Sequence, residues 1–552
     1  MTARHLELDL VDRPFTERGS RLLVTAGPDG LRVARAEYET PLAATVELTG
    51  LVLRDRAGRP LPVVSATPVA VTFAGGASLL FADPATLVLA GHDAHASWRL
   101  PDGTARTLAL TGCHVLTGPP GEWTAPAVRA AAEARWAAWF ARLPAVRADL
   151  AEAARTAWWT LAVNLLPIGG REGLVPSKYG YVGVWNWDAL FHAVGLRHGA
   201  PDLARDQIRI LLDHQLPDGR LPDVVHDHGV LADTTDLPRA DHARLAEHVG
   251  SALPDGSARP GSAGLPREPV PVTKPPLAAW AVWKVHQTDP DLPFLAAAYP
   301  RLVRAHRWWF TASDPDGDGL PEYLHPYSSG LDDSPVWDHG PRAEPPDLNS
   351  YLALEADRLG DIAEALGRPA EAARWRARAA AHADLLVARR WDGTRFTTLS
   401  GGRPVPVRTA LDLMPLFTGR LPAGVAAALE RTLRSPAYWG EHPVPTVAFD
   451  DPAFDPDAMW RGPVWLNVNH LLIDGLRRSG LTATAEELRE RTLTLVRDGG
   501  GLHEYWNPLT GTRAPRATTG FGWSAALFLD LAAEGWRPGT PEGRPPERQR
   551  NA

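Results

Sequence analysis

One cysteine, Cys113, stands in 552 residues, so no disulfide can form within the chain. No apolar run is long enough to cross a bilayer, so no membrane partner is expected. The first residues, "MTARHLELDLVDRPF", lack the apolar stretch of a secretory signal, and a cytoplasmic enzyme is the simplest expectation. Basic charge is not in excess: 57 Lys and Arg stand against 65 Asp and Glu, a net charge of -8. That argues against nucleic acid as a partner, since such proteins carry a basic stripe. A phosphate loop and a metal-ligating cluster are also missing, so no cofactor and no metal are expected. His192, His226, His228 and His339 do not fall at metal-ligand spacing on one face, and His503 abuts an acid without forming a motif. Tryptophan, by contrast, is plentiful: 21 residues, beside 9 Tyr and 13 Phe. Large rigid rings suit stacking on sugar faces, and they suit big helix-packed cores equally well.

A chain of this length exceeds one simple core, and two domains are the default. Residues 1–119 read as short, partly alternating strands: "RLLVTAG", "LRVARAEY", "ATVELTGLVLRD", "VAVTFAG", "TLVLAG". Turn sequences such as "GPDG" and "RAGRP" punctuate them, and the pattern predicts an N-terminal β-sandwich. "TGPPGEWTAP" ends it, and 120–144 is a linker with an Ala-rich helix. From 145 to 537 the period is helical. Twelve helices are expected near 145–165, 187–199, 201–215, 272–288, 293–312, 346–367, 369–391, 407–418, 422–434, 462–480, 483–499 and 521–535. Residues 538–552, within "RPGTPEGRPPERQRNA", read as a disordered tail.

The links between these helices alternate. After each even-numbered helix the link is short: "HGA", "TDPDL", "GRP", "GRLP", "SGLT". Before each even-numbered helix it is long. Short links join antiparallel neighbours. Six such pairs fit a closed ring of helical hairpins, an (α/α)6 barrel with tight turns on one side and long loops on the other. The fold class is therefore mainly α. The unusual residues fall on the long loops, at the N-terminal ends of alternate helices: "GVWNWDALFH", "VTKPPLAAW", "SSGLDDSPVWDHG", "MWRGPVWLNVNH" and "HEYWNPLTG". If the alternate helices form the inner ring, their entrances converge on one pocket, and function tends to sit on such loops. Helix caps and N1 prolines explain Pro275, Pro276 and Asp347. They do not explain the Trp pairs or Glu504.

A pocket rich in Trp and carboxylates points to acid–base work on a neutral polar ligand. Glycoside hydrolysis needs one protonated carboxyl for the leaving oxygen and a second, ionised, to activate water or attack carbon. Asp188, Asp332, Asp333, Asp338, Asp347, Asp457 and Glu504 are the acids on these loops, and residue patterns alone leave that set open.

Between about 180 and 530 the motifs "GVWNWDALFH", "SSGLDDSP", "WRGPVWLNVN" and "EYWNPLTG" with "FGWSAAL" occur in the order found in glycoside hydrolase family 63. The helical region resembles the catalytic barrel of that family, which includes bacterial mannosylglycerate and glucosylglycerate hydrolases, and more distantly the trehalases. The resemblance does not reach the first 119 residues. It implies an inverting, exo-acting α-glycosidase on an α-glucoside or α-mannoside, with a small saccharide as partner. It implies Asp332, in the "SG-x-D" motif, as acid and Glu504 as base, with a carboxyl separation of roughly 6.5–9.5 Å. Asp333 is the alternative acid.

Asp188 matches a sugar-binding position of the family; otherwise it is a helix-start charge meeting the macrodipole. Trp185 and Trp187 offer stacking faces or core packing. Tyr181, Trp460, Arg461 and Trp506 complete the binding set, with Asn186, Asn467 and Asn469 less central. Arg461 reads alternatively as a structural salt bridge. Relatives often carry Gln before the Pro pair where this chain has Lys274, a cation that suits an acidic aglycone or simple solvation. The segment 224–269 reads as a lid or insert over the mouth. "DPDGDGLPEY" starts like a calcium loop, but His325 stands where a bidentate Glu belongs, so an ordered turn is expected. Two rivals remain: a sugar epimerase or isomerase on a similar barrel, which wants paired His bases, and a non-catalytic carbohydrate-binding protein.

Overall fold

The computed structural model describes residues 6–237 and 269–533. Most of the expected lid and the whole of the expected tail lie outside the described residues.

Nine antiparallel strands precede the helices: β1 Leu22–Gly27, β2 Gly30–Arg35, β3 Val46–Asp55, β4 Pro60–Leu61, β5 Val63–Ala66, β6 Val71–Phe73, β7 Ser78–Asp83, β8 Thr86–Arg99 and β9 Ala105–Thr117. They form one connected sheet in the order β1-β2-β3-β8-β7-β6-β5, with β4 on β3 and β9 on β8. This corrects the expected sandwich of two separate sheets. The reason is β8. Its first residues pair with β7 and its last, Ala94–Arg99, pair with β3, so one long strand carries the hydrogen bonding through. A register shift between His92 and Ala94 marks a bulge, where strands bend.

Helix α1, Ala125–Phe140, packs on β7 and leads to α2, Ala151–Val163. Trp139 and Trp158 lock the two together. Their rings stack at 4.6 Å, and each indole N–H donates to the other's backbone carbonyl at 2.8 Å.

Among the described residues, the longer helices that follow are α3 Asn186–Leu196, α4 Pro201–Asp213, α5 Ala278–Thr288, α6 Leu292–Ala312, α7 Pro346–Ala365, α8 Pro369–Arg390, a 3-10 helix Ala410–Thr418, α9 Ala423–Leu433, α10 Leu466–Arg478, α11 Thr482–Asp498 and α12 Gly522–Ala533. With α2 they fall on the twelve expected segments. The eighth is 3-10 rather than α, with Pro415 inside it. Contacts run α3 to α5, α5 to α7, α7 to the 410–418 helix, on to α10, to α12 and back to α3. The partner before or after each of these packs outside it: α2, α4, α6, α8, α9 and α11. Composition explains the sorting. Every residue of α3 and of the 410–418 helix is buried, as a helix apolar all round requires. Helix α4 buries one face, Arg205 included, and carries Asp202, Asp206, Arg209 and Asp213 outside it.

The sheet region grips the loop that leads into α3. Lys178 donates to the Thr16 hydroxyl (3.0 Å) and the Glu17 carbonyl (3.2 Å), and the Tyr179 hydroxyl donates to the Val11 carbonyl (2.6 Å). Arg18 makes a two-pronged pair with Glu172 at 2.8 and 2.6 Å. Among the described residues, no helix is long and apolar enough to cross a membrane.

Candidate active site

The N-terminal ends of α3, α5, α10 and α12, the loops before them and the loop before α7 enclose a pocket. Its wall includes Tyr181, Trp185, Trp187, Asp188, Lys274, Gly330, Asp332, Trp460 and Glu504. Pro176, Met459, Trp465, Phe521 and Trp523 complete it. The rings form one continuous cluster. Trp460 stacks on Trp465 at 3.6 Å, and Trp187 stands edge-on to Trp523 at 5.3 Å. Trp465 stacks on Tyr505 at 4.7 Å, and Tyr181 is edge-on to Trp185 at 5.7 Å. Trp460 and Trp187 therefore serve wall and core at once.

Asp332 is presented by a tightly tied loop. Gly330 before it has φ +73°, a left-handed conformation open to glycine, and a Cβ there would lie 2.2 Å from the Trp187 ring. Leu331 is fixed at both backbone groups. Its N–H donates to the Ser329 hydroxyl (2.9 Å), and its carbonyl accepts from the Trp337 indole (2.7 Å). Asp333 is anchored from the far side of the ring, its Oδ1 accepting from the Trp460 N–H at 2.8 Å. Of the adjacent pair, Asp332 lines the pocket and Asp333 holds Trp460.

Glu504 is buried, and both its oxygens are engaged. Oε1 accepts from the Tyr181 hydroxyl (3.1 Å) and Oε2 from the Thr518 N–H (3.0 Å). Burial pushes its carboxyl up to about 7; the bonds from Thr518 and Tyr181 restrain that rise, and Asp333 adds to it. Burial, then the negative charge of Glu504, likewise raises the Tyr181 phenol well above its ordinary value, so it stays a donor.

Asp188 is buried at the first turn of α3, and burial raises its carboxyl well above the usual range while Lys274 draws it back. The Lys274 ammonium lies 2.9 Å from Asp223 and donates to the Tyr327 carbonyl at 2.6 Å. Burial alone would push the ammonium down; Asp223, Asp332 and Asp188 outweigh it, and the net shift is upward. Asp223, itself buried, is raised to about 6 by burial against the pull of Lys274. Asp223 was absent from the expected set. It lies in "GRLPDVV", whose Pro-Asp pair reads as a turn and carries no signal of its contact with Lys274. Trp465, Phe521 and Trp523 were inside recognised motifs but were not singled out.

Two expected residues lie elsewhere. Trp506 is fully buried and off the pocket wall. Its backbone pairs with Val464, and its indole lies beside Gly499 and the His503 ring. Arg461 is also off the wall. Its guanidinium is taken by Asp338 in a two-pronged pair at 2.9 and 2.6 Å. Asn186 and Asn469 hold backbone, donating to the carbonyls of Pro222 (3.0 Å) and Pro443 (2.9 Å). Asp314, Asp316 and Asp318 bring ligand atoms within 4.8 Å of one another, and each accepts a backbone N–H of its own turn.

A pocket walled by aromatic rings, with several carboxyls and one compensated cation, carries the chemistry of a glycoside hydrolase, and that is the class of this enzyme. Residues 181–524 match the mannosylglycerate hydrolase MGH1-like glycoside hydrolase domain, and the chain belongs to that family. It is 29% identical over 441 residues to a mannosylglycerate hydrolase of Thermus thermophilus, an alignment covering 67% of this chain and 99% of the relative. A glucosylglycerate hydrolase of Mycolicibacterium hassiacum is 25% identical over 427 residues, covering 63% of this chain and 92% of the relative. The crystal structure of the family 63 mannosylglycerate hydrolase of Thermus thermophilus in complex with glucose superposes with TM-score 0.54 at 26% identity, covering 68% of this chain and 98% of that chain.

Proposed function

We propose that this protein is an inverting, exo-acting α-glycosidase whose catalytic unit, about 145–537, is an (α/α)6 barrel preceded by the sheet domain of 1–119 and the linker of 120–144. The closed circuit of six inner and six outer helices supports the barrel. The observation that carries the reaction is that Asp332 and Glu504, far apart in sequence, line one aromatic pocket. In this reading Asp332 gives its proton to the glycosidic oxygen as the C–O bond breaks. Glu504 takes a proton from water as that water attacks the anomeric carbon from the opposite face. A base restrained near neutrality suits that task, because proton transfer is best matched when the group titrates near the working pH.

Asp188 accepts hydrogen bonds from sugar hydroxyls and the Trp185–Trp187 faces pack on the ring. The substrate class is an α-glucoside or α-mannoside of a small aglycone, in line with the mannosylglycerate and glucosylglycerate activities named for the relatives. A cytoplasmic setting is the expectation kept from the sequence. An epimerase would want paired His bases, and no histidine is among the described residues lining the pocket.

The test is D332N and E504Q assayed on α-glucosides and α-mannosides, both glycerates among them. Each variant is expected to lose about a thousandfold or more of kcat on the substrate the wild type accepts. Full activity in either removes that residue from the mechanism.

A further inference from the structure

Lysine is rare here: Lys178, Lys274 and Lys284 are the three among 57 Lys and Arg residues. Lys274 is the one that lines the pocket, and it is also the one cation among the described lining residues. A guanidinium binds through a broad planar fork, whereas an ammonium is a compact point charge with three donors. One donor is committed to the Tyr327 carbonyl at 2.6 Å, and the ammonium forms an ion pair with Asp223 at 2.9 Å. Both Lys274 and Asp223 are buried, at 5% and 2% exposure. Asp188, Asp332 and Glu504 are the acids on the same wall, so carboxyls outnumber the cation even before Asp223 is counted.

We propose that Lys274, held by its pair with Asp223, is a positioning and specificity-determining residue of the sugar pocket, keeping Asp188 a hydroxyl acceptor and so selecting an uncharged sugar over an anionic one. The proposal rests on the reading of this pocket as the sugar site. It replaces the sequence-based idea that the cation faces an acidic aglycone. An ammonium already paired with a buried carboxylate, with the Asp332 and Asp188 carboxyls acting on it as well, has little attraction left for an anionic ligand. What it does supply is a local positive charge, without which buried carboxyls take up protons and turn from acceptors into donors. The charged groups facing it are Asp223, Asp332 and Asp188; Arg220 also acts on Asp223, and Glu504 on Asp188.

The experiment is calorimetric titration of glucose, mannose and glucuronate into the full chain across a pH series, with thermal melting as the control for folding. Hydrolysis is not needed, so the readout is separate from the catalytic assay. Wild type is expected to bind one neutral sugar at least about tenfold more tightly than glucuronate, and K274M to lose about tenfold for that sugar. The pH below which neutral-sugar affinity fades should rise by about one unit in the variant. K274M leaves Asp223 buried without its partner, a costly change, so K274M/D223N, which removes both charges, is the second variant and is expected to show the same loss. Variants that fold and bind the neutral sugar within about twofold of wild type, with an unmoved pH dependence, overturn the proposal. So does a wild type that prefers glucuronate. A wild type that binds none of the three overturns the sugar-site reading and this proposal with it, a result distinct from equal binding by wild type and variant.

Discussion

Two carboxyls in a shared pocket, Asp332 and Glu504, sit in different surroundings. Glu504 is buried and raised to about 7 from an ordinary 4.5. The acid limb of kcat/KM should therefore fall as pH drops through about 7, where Glu504 takes up a proton; a limb near pH 4 would show the base to be another group. The same shift bears on stability. A carboxyl with a raised folded pKa binds protons more tightly when folded, so its contribution is fully present below about 4.5 and is lost as pH rises through about 7. The full cost above that window is roughly 3 kcal/mol at most. E504Q should then raise the melting temperature at about pH 8 and change it little at about pH 4; equal shifts at both would mean burial is not what strains Glu504. The motif favoured Asp332 and kept Asp333 as the alternative; the bond that separates them in space comes from the Trp460 backbone N–H, 127 positions away. D333N keeps an oxygen to accept that N–H, so it should retain most activity where D332N loses it. The reverse order in a parallel assay would exchange their roles.

At the scale of elements, local chemistry was readable and long-range pairing was not. Helices showed in their period and in the alternation of short and long links, since both are properties of neighbouring residues. The sheet did not: seven or more short strands suit a sandwich, and nothing within β8 announces that its two halves pair with different partners. Trp506 was misplaced for a similar reason, its inward turn being set by pairing with Val464. The loop carrying Asp332 shows how tightly an element can be tied to its site. Ser329, Gly330, Leu331 and Asp333 are each held by a specific contact. A methyl on Gly330 would both strain a left-handed residue and strike Trp187. G330A is expected to cost about 2 kcal/mol or more in stability and to lower kcat through a displaced Asp332. A variant of wild-type melting temperature and rate would mean the loop is looser than its contacts imply.

For the whole molecule, the sheet region is joined to the candidate pocket as well as to the helices. Tyr38, just after β2, stacks on His226 at 4.1 Å and meets Trp185, a pocket residue, at 6.2 Å. Trp185 in turn contacts Tyr181, which bonds Glu504. The family match begins at Tyr181, so the sheet lies outside it, and this line of contacts had no signature in any recognised motif. Y38A should raise KM several-fold, about three to ten, while lowering kcat far less than D332N does; an unchanged KM would show the sheet to be a bystander. The central claim concerns the whole machine: two carboxyls, one water, one displacement. Proton NMR of the sugar as it is first released from an α-glycoside tests it most directly. The account predicts that the β anomer appears first and then equilibrates. Release of the α anomer first would contradict inversion and, with it, the roles assigned to Asp332 and Glu504.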